Sequence, residues 1–231
     1  QSTINGAAAE IWNFKSPSDE AAYLANWITK DLDEFGRSPS DYVLLARQMA
    51  SGFEPLLERE LARVGIRLRN DDKEVGTLKL QNLLADDLTI LLIRLMRLTA
   101  THGSQSQAWT EVCDSMVELH GLHSAKADAK ATDTSLAAFV KTTRAWMRDH
   151  VPSLEAVEAI LDREMTFVGV DAVRRTFPHH RTLAHVNSVL EAFMDRMGQV
   201  VDKGHTWSTL CDEFEGKDAV PLMTVHKSKG L

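Results

Sequence analysis

The chain changes its hydrophobic pattern twice, and this change constrains its fold more than any other feature. Before Gly76, short apolar runs alternate with amphipathic helical patterns, an order typical of a parallel α/β sheet. Residues 78–215 then contain only helical periods, and a strand pattern returns at Val220. We therefore predict an α/β domain over residues 1–77 and 217–231, interrupted by an all-helical insertion over residues 78–216, and a chain that is mostly helical overall.

Two helix–strand steps define the predicted α/β part. Ser16 and Pro17 predict the start of a helix that ends at Gly36, since Ser is a preferred cap and Gly closes helices in the left-handed conformation. A buried strand is predicted over 42–46, and a second helix and strand follow it, the strand over 66–69. Residues 11–14 predict a further short strand ahead of the first helix.

Within the insertion, an almost wholly apolar stretch predicts one helix over 80–98 that belongs in the middle of a bundle. The stretch rich in Ala, Lys and Asp at 125–131 predicts a solvated loop. Further helices are predicted near 105–120, 134–149, 153–164, 181–202 and 206–213.

Composition restricts the class of protein. Of 231 residues 44% are hydrophobic, enough for a core, and the net charge of −7 argues against a surface coated in Lys and Arg for duplex binding. A local basic groove remains compatible with that charge. Cys113 and Cys211 lie far apart without Cys-x-x-Cys spacing, which predicts reduced thiols in a cytoplasmic protein. The longest apolar run, 90–98, contains two arginines and is too short to cross a membrane.

The predicted last strand runs into a polar turn at residues 224–230. Thr224, His226, Lys227 and Lys229 offer a hydroxyl, an imidazole and two ammonium groups, which suit phosphate oxygens. Gly230 lets a ligand approach the backbone without meeting a Cβ atom. On composition alone, a solvated polar turn after a core strand is the commoner structure.

The residue pattern of this segment, Leu-Met-Thr-x-His-x-x-Lys-Gly-Leu over 222–231, resembles a motif of the UvrD/Rep-type superfamily 1 DNA helicases. Residues 41–48 (DYVLLARQ) resemble the strand of that family that ends in an arginine beside the DNA path. Residues 54–66 (EPLLERELARVGI) are similar to the helix and strand that follow it, and residues 76–98 to the entry into the family's helical subdomain. The resemblance implies the second RecA-like motor domain with its mobile helical insertion.

The resemblance also implies roles for individual residues. Arg47, Thr224 and His226 match positions that contact the DNA backbone in that family, and Lys227 lies beside them. Lys229 and Gly230 match positions close to the nucleotide. A departure occurs at Met49, where relatives often have an Asn that reaches the DNA.

No catalytic residue and no metal ligand is predicted in this chain. The sequence contains no Gly-x-x-x-x-Gly-Lys-Ser/Thr phosphate loop, which cradles the β- and γ-phosphates, and no apolar strand ending in paired acids for Mg²⁺. The resemblance therefore implies part of an ATP-dependent helicase or translocase that moves 3′ to 5′ on single-stranded DNA. The parent would use ATP and Mg²⁺, whereas this chain alone would bind neither and be inactive.

The expected partners are single-stranded DNA, junctions between single and double strands, and a repair protein bound through the helical insertion. Two alternatives remain open. One is a helicase–nuclease of recombination repair, which has the same motor and a further nuclease domain. The other is a degenerate motor half that serves as a non-enzymatic scaffold, for which Met49 is the sequence support.

Two other groups of residues are weaker candidates for a site, and two more are interpreted as structural. His120 and His123 have helical spacing near Cys113, but no fourth ligand completes a metal site. The basic segment that contains Arg174, Arg175 and residues 179–181 predicts either a contact with duplex phosphates or an ordinary polar turn. Arg144 and Arg148 beside Trp146 predict a solvated rim, and the five tryptophans are interpreted as core residues: Trp12, Trp27, Trp109, Trp146 and Trp207.

Overall fold

The computed structural model describes residues 10–101, 106–121, 126–201 and 205–225, with the backbone alone for residues 126–129. The described residues are mostly helical and include a small parallel sheet, which confirms the coarse fold class. In chain order the elements are α1 (Pro17–Phe35), β1 (Leu44–Ala46), α2 (Glu54–Arg63), β2 (Arg67–Asn70), β3 (Glu74–Val75), β4 (Leu78–Lys79), α3 (Leu80–Leu84), α4 (Asp87–Ala100), α5 (Ser106–Leu119), α6 (Lys126–Asp149), α7 (Leu154–Val168), α8 (Val170–Thr176), α9 (Leu183–Val200), α10 (Trp207–Glu215) and β5 (Ala219–Thr224).

The chain divides into two compact units. The sheet unit consists of the described residues up to Asn70 together with those from Asp218 onwards. The helical unit is Asp71–Lys217, so it lies in the sequence between the last two strands of the sheet unit.

The sheet unit has the strand order β1-β5-β2, and all its strands are parallel. The central strand β5 is buried at every position except Thr224, as expected for a strand covered on both sides by neighbours. Helices α1 and α2 pack on the sheet through Ile28, Leu57 and Leu61, which share one apolar core with Leu222.

Helix α1 begins and ends where the sequence predicts. The hydroxyl of Ser16 accepts a hydrogen bond from the backbone N–H of Asp19 at 3.2 Å, and Gly36 adopts φ +62° at the other end. The predicted strand at 11–14 is wrong, because these residues pair with no strand among the described residues. Trp12 instead packs its ring against Tyr23 of α1, with the centroids 4.9 Å apart.

The predicted helix at 80–98 is two helices. Asp86 separates them, because its carboxylate accepts hydrogen bonds from the backbone N–H groups of Leu88 (3.0 Å) and Thr89 (3.2 Å) and so caps α4. Helix α4 lies at the centre of the helical unit, as predicted, and packs against α5, α6, α7, α9 and α10.

Two further elements of the helical unit differ from the prediction. Residues 126–131 of the predicted loop belong to α6, which begins at Lys126, while residue 125 lies outside the described residues. Ala and Lys are good helix formers, and the Lys and Asp residues alone did not distinguish a solvated helix from a loop. The antiparallel hairpin of β3 and β4 was not predicted, because strands of two residues carry no period. No helix in the described ranges combines the length and apolar character needed to cross a bilayer.

Candidate nucleic-acid interface

The ends of β1 and β5 lie side by side at the carboxyl edge of the sheet. Ala46 is paired in register with Thr224, and the backbone N–H of Val225 donates to the carbonyl oxygen of Ala46 at 2.9 Å. Arg47 therefore leaves the sheet at the same edge as the segment that follows Thr224. In parallel α/β folds this edge is where ligands bind.

Of the six residues that the sequence assigns to this site, the structure describes two. Arg47 is exposed and Thr224 is half-buried. His226, Lys227, Lys229 and Gly230 lie outside the described residues, so their roles stay predictions.

Arg47 lines a cavity of about 210 Å³ at this edge. Pro17 and Glu20 from the first turn of α1 line it too, together with Phe53 just before α2. Arg47 and Glu20 are the charged residues of the described lining, and the other lining residues are apolar apart from backbone atoms. A phosphate group in this cavity would meet the cation of Arg47 close to the carboxylate of Glu20, and the described lining offers no ring of side-chain donors.

Met49, two residues beyond Arg47, has an unusual backbone conformation. Its φ and ψ are both 52°, and it is the one described non-glycine residue with positive φ. The side chain is 78% exposed and contributes little burial to offset the conformational cost. Asn, which the resemblance predicts at this position, adopts this conformation more readily than Met.

A buried amide holds the loop between β1 and α2, and sequence reasoning missed it. Asn70 is 5% exposed at the end of β2, and its Nδ2 donates to Glu54 Oε2 at 2.8 Å and to Ser51 Oγ at 3.3 Å. These contacts fix the loop that begins at Arg47. The signal in the sequence is an Asn at the end of a strand, although its partners could not be known without the fold.

The basic segment of the helical unit is only partly available to a ligand. Arg174, Arg175, His179 and Arg181 are exposed, whereas His180 has no exposed surface. His180 therefore cannot contact duplex phosphates. Arg174 is also paired with Asp171 at 3.4 Å, so a phosphate group would have to compete with that carboxylate for the guanidinium.

Arg144 was predicted to be a solvated rim residue, and this is wrong. Its guanidinium donates to the carbonyl oxygens of Leu98 (2.8 Å), Thr99 (3.2 Å) and Thr101 (3.0 Å). It thereby provides hydrogen-bond donors for carbonyl groups at the carboxyl end of α4, where the helix itself provides none. Arg148, one turn later, is exposed as predicted.

The tryptophans do not share one environment. Trp207 is 7% exposed, and its Nε1 donates to backbone carbonyls in agreement with a core position. Trp27 is 38% exposed, which contradicts its interpretation as a core residue. Its ring lies 5.6 Å from that of Trp12 and 6.1 Å from that of Tyr42, in an aromatic group on the sheet unit.

The metal candidates from the sequence do not form a cluster among the described residues. Cys113 is half-buried and His120 is exposed, while His123 lies outside the described part. The one group of three possible ligands that the described residues form is Asp86, His180 and His185. Sequence reasoning missed this group.

The sequence matches no protein-family model, and no curated protein is similar to it at a significant level. The likeness to helicases therefore rests on the quoted residue patterns. The geometry adds that two of the residues in those patterns, Arg47 and Thr224, lie at one sheet edge.

Proposed function

We propose that this chain is the second RecA-like motor domain, with its helical insertion, of an ATP-dependent DNA helicase of the UvrD/Rep type. One observation supports the proposal most strongly. Arg47 directly follows β1 and Thr224 is the last residue of β5, so two motifs almost 180 residues apart in sequence meet at one edge of the sheet, at the ends of neighbouring parallel strands. This is the relation that a shared DNA contact requires.

In the proposed motor, Arg47, Thr224, His226 and Lys227 hold the backbone of single-stranded DNA. Contacts to phosphates carry little sequence information, so binding tolerates any sequence and weakens as salt rises. Two RecA-like domains close on ATP, and the DNA contacts of this half shift with the closure. The helical insertion meets duplex DNA at a junction, or a repair protein.

The nucleotide is held mainly by the other motor domain in this proposal, because this sequence contains no phosphate loop. ATP and Mg²⁺ are cofactors of the complete motor, and the chain alone hydrolyses no ATP. Lys229 and Gly230 lie near the nucleotide and connect it with the DNA contact at His226.

The test is ATPase activity of a polypeptide that joins this chain to a domain with a phosphate loop, with and without single-stranded DNA. We expect DNA to stimulate turnover and His226→Ala to lose most of that stimulation while it retains the basal rate. His120→Ala is the matched control. His120 is an exposed histidine directly after α5, so this variant should behave as wild type.

A scaffold without motor activity is the second candidate, supported by Met49. An exposed apolar side chain in a costly backbone conformation stands where a polar DNA contact is expected. Turnover that does not respond to DNA in wild type would favour the scaffold and remove the helicase proposal.

A further inference from the structure

In the helical unit, Asp86, His180 and His185 bring their side chains together. One carboxylate oxygen and one nitrogen from each imidazole lie within 4.8 Å of one another. We propose that these residues bind a divalent transition-metal ion of the zinc type, which ties the start of α4 to the start of α9. The inference is independent of the proposed helicase function.

His180 is the residue that most requires a partner. Its side chain has no exposed surface, and neither ring nitrogen has a hydrogen-bond partner among the described residues. Its Nε2 lies 3.2 Å from Asp86 Oδ1, but the two atoms are not aligned as a hydrogen bond. A buried polar group without a partner is costly, and a bound cation would remove that cost.

The short distance between Asp86 and His180 also fits metal coordination. Zinc binds nitrogen and carboxylate oxygen at about 2.0–2.2 Å, so two ligands at neighbouring corners of a tetrahedron are about 3.3 Å apart. The carboxylate of Asp86 approaches His180 Nε2 to 3.2 Å, so the two side chains are close enough to share one ion. His185 is half-buried, and its ring centroid lies 5.0 Å from that of His180. With His185, whose ligand nitrogen lies within 4.8 Å of the other two ligand atoms, the group supplies three of the four ligands that zinc takes, and water would fill the fourth position.

The backbone holds the carboxylate in place. Asp86 Oδ1 accepts hydrogen bonds from Leu88 and Thr89 at the start of α4, which orients the carboxylate and leaves Oδ2 as the oxygen for the ion. His185 lies in the first turn of α9, after the cap at Thr182. The positive ends of two helix dipoles oppose a cation at this place, so the charge of Asp86 is essential to binding.

The ligand set selects the class of ion. Two imidazoles with one carboxylate favour zinc and its transition-metal neighbours over Mg²⁺ and Ca²⁺, which prefer oxygen ligands alone. Because His180 is buried and the Asp86 side chain is 11% exposed, two of the three protein ligands are largely shielded from solvent, and the fourth position of the ion is the one open to water.

The test is calorimetric titration of Zn²⁺ into the metal-free chain, with Co²⁺ absorption as a second readout of coordination. We expect one ion per chain for wild type, and binding at least about tenfold weaker for His185→Gln and for Asp86→Asn, since even outer-shell losses cost that much. Asn caps helices as well as Asp does, so Asp86→Asn removes the charge and keeps the fold.

His179→Gln is the matched control, because His179 is exposed and lies next to His180 without belonging to the group. It should bind Zn²⁺ as wild type does. The proposal is overturned if wild type binds no Zn²⁺, if His185→Gln and Asp86→Asn bind as tightly as wild type, or if His179→Gln loses as much affinity as His185→Gln.

Discussion

Glu164 is a carboxylic acid inside the helical unit, on α7. It has no exposed surface, and neither carboxyl oxygen has a hydrogen-bond partner in the described part of the chain. Burial disfavours the charged form and raises the pKa of Glu164 well above its usual 4.5. Above pH 4.5 the unfolded chain releases this proton and the folded chain keeps it, so the group lowers stability as pH rises until the folded pKa is reached.

Glu164→Met should therefore stabilise the protein at neutral pH. Met is unbranched and apolar, and relief of an unpartnered buried polar group contributes about 1–3 kcal/mol. Urea unfolding across a pH series measures the effect, and the gain should shrink toward acidic pH. Glu158→Met changes an exposed position of the same helix and should show no such pH dependence. Equal curves for the two variants would contradict the account.

Met49 offers a second test at a single residue. The left-handed conformation costs a residue with a Cβ atom about 1–2 kcal/mol, and Gly adopts it freely. Met49→Gly should raise the free energy of unfolding by about 1 kcal/mol in denaturant titrations. Met49→Ala removes the exposed side chain but keeps the Cβ atom, so it should give no gain. A gain shared by both variants would mean that the side chain, and not the backbone, is unfavourable.

At the scale of elements, Arg144 caps the carboxyl end of the central helix α4. Arg144 donates three hydrogen bonds to the last carbonyl groups of α4 from the neighbouring helix α6. Arg144→Met keeps the apolar stem and should lower the free energy of unfolding by about 1.5–3 kcal/mol, the range for hydrogen bonds to a charged group. Arg148→Met, at an exposed position one turn later, should change it by less than about 0.5 kcal/mol. Thermal unfolding of both variants measures the difference.

Element boundaries were predictable where a cap stands between clear patterns. Ser16 and Gly36 marked both ends of α1 because one accepts the orphan N–H and the other adopts positive φ. The break at Asp86 was missed because apolar residues continue on both sides, and the cap is evident only when its hydrogen bonds are seen. The loop predicted from the polar residues around Lys126 was wrong, because residues 126–131 lie in the first turns of helix α6.

For the molecule as a whole, the sequence predicted that Arg47 and Thr224 meet at one sheet edge, but it did not predict the cluster of Asp86, His180 and His185 in the helical unit. Arg47 follows one strand pattern and Thr224 ends another, and parallel strands bring their carboxyl ends to one edge of the sheet. Asp86 and His180 are almost a hundred residues apart on helical elements, where no period predicts which helix ends meet. Asn70 and its partners depend on tertiary packing in the same way.

Stability should differ between elements of the whole chain. Helix α4 is buried on most of its faces, whereas Leu45 of the short strand β1 is 47% exposed. Amides in buried, densely packed elements exchange only on global unfolding, and those in exposed elements exchange through local opening. Hydrogen exchange followed by mass spectrometry should find α4 the slower of the two by orders of magnitude. Equal protection of α4 and β1 would contradict this.

The proposed function depends first on our proposal that the carboxyl edge of the sheet binds single-stranded DNA through phosphate contacts. Its most direct test is fluorescence anisotropy of a labelled oligothymidylate, titrated with the chain over a series of salt concentrations. Arg47→Ala should weaken binding and reduce the slope of log affinity against log salt by about 0.7, the value for one contact to a single strand. Arg37→Ala is the matched control, since Arg37 follows the far end of α1 and is paired with Asp31 at 2.7 Å. A slope that Arg47→Ala leaves unchanged, or a loss that Arg37→Ala shares, would contradict the account.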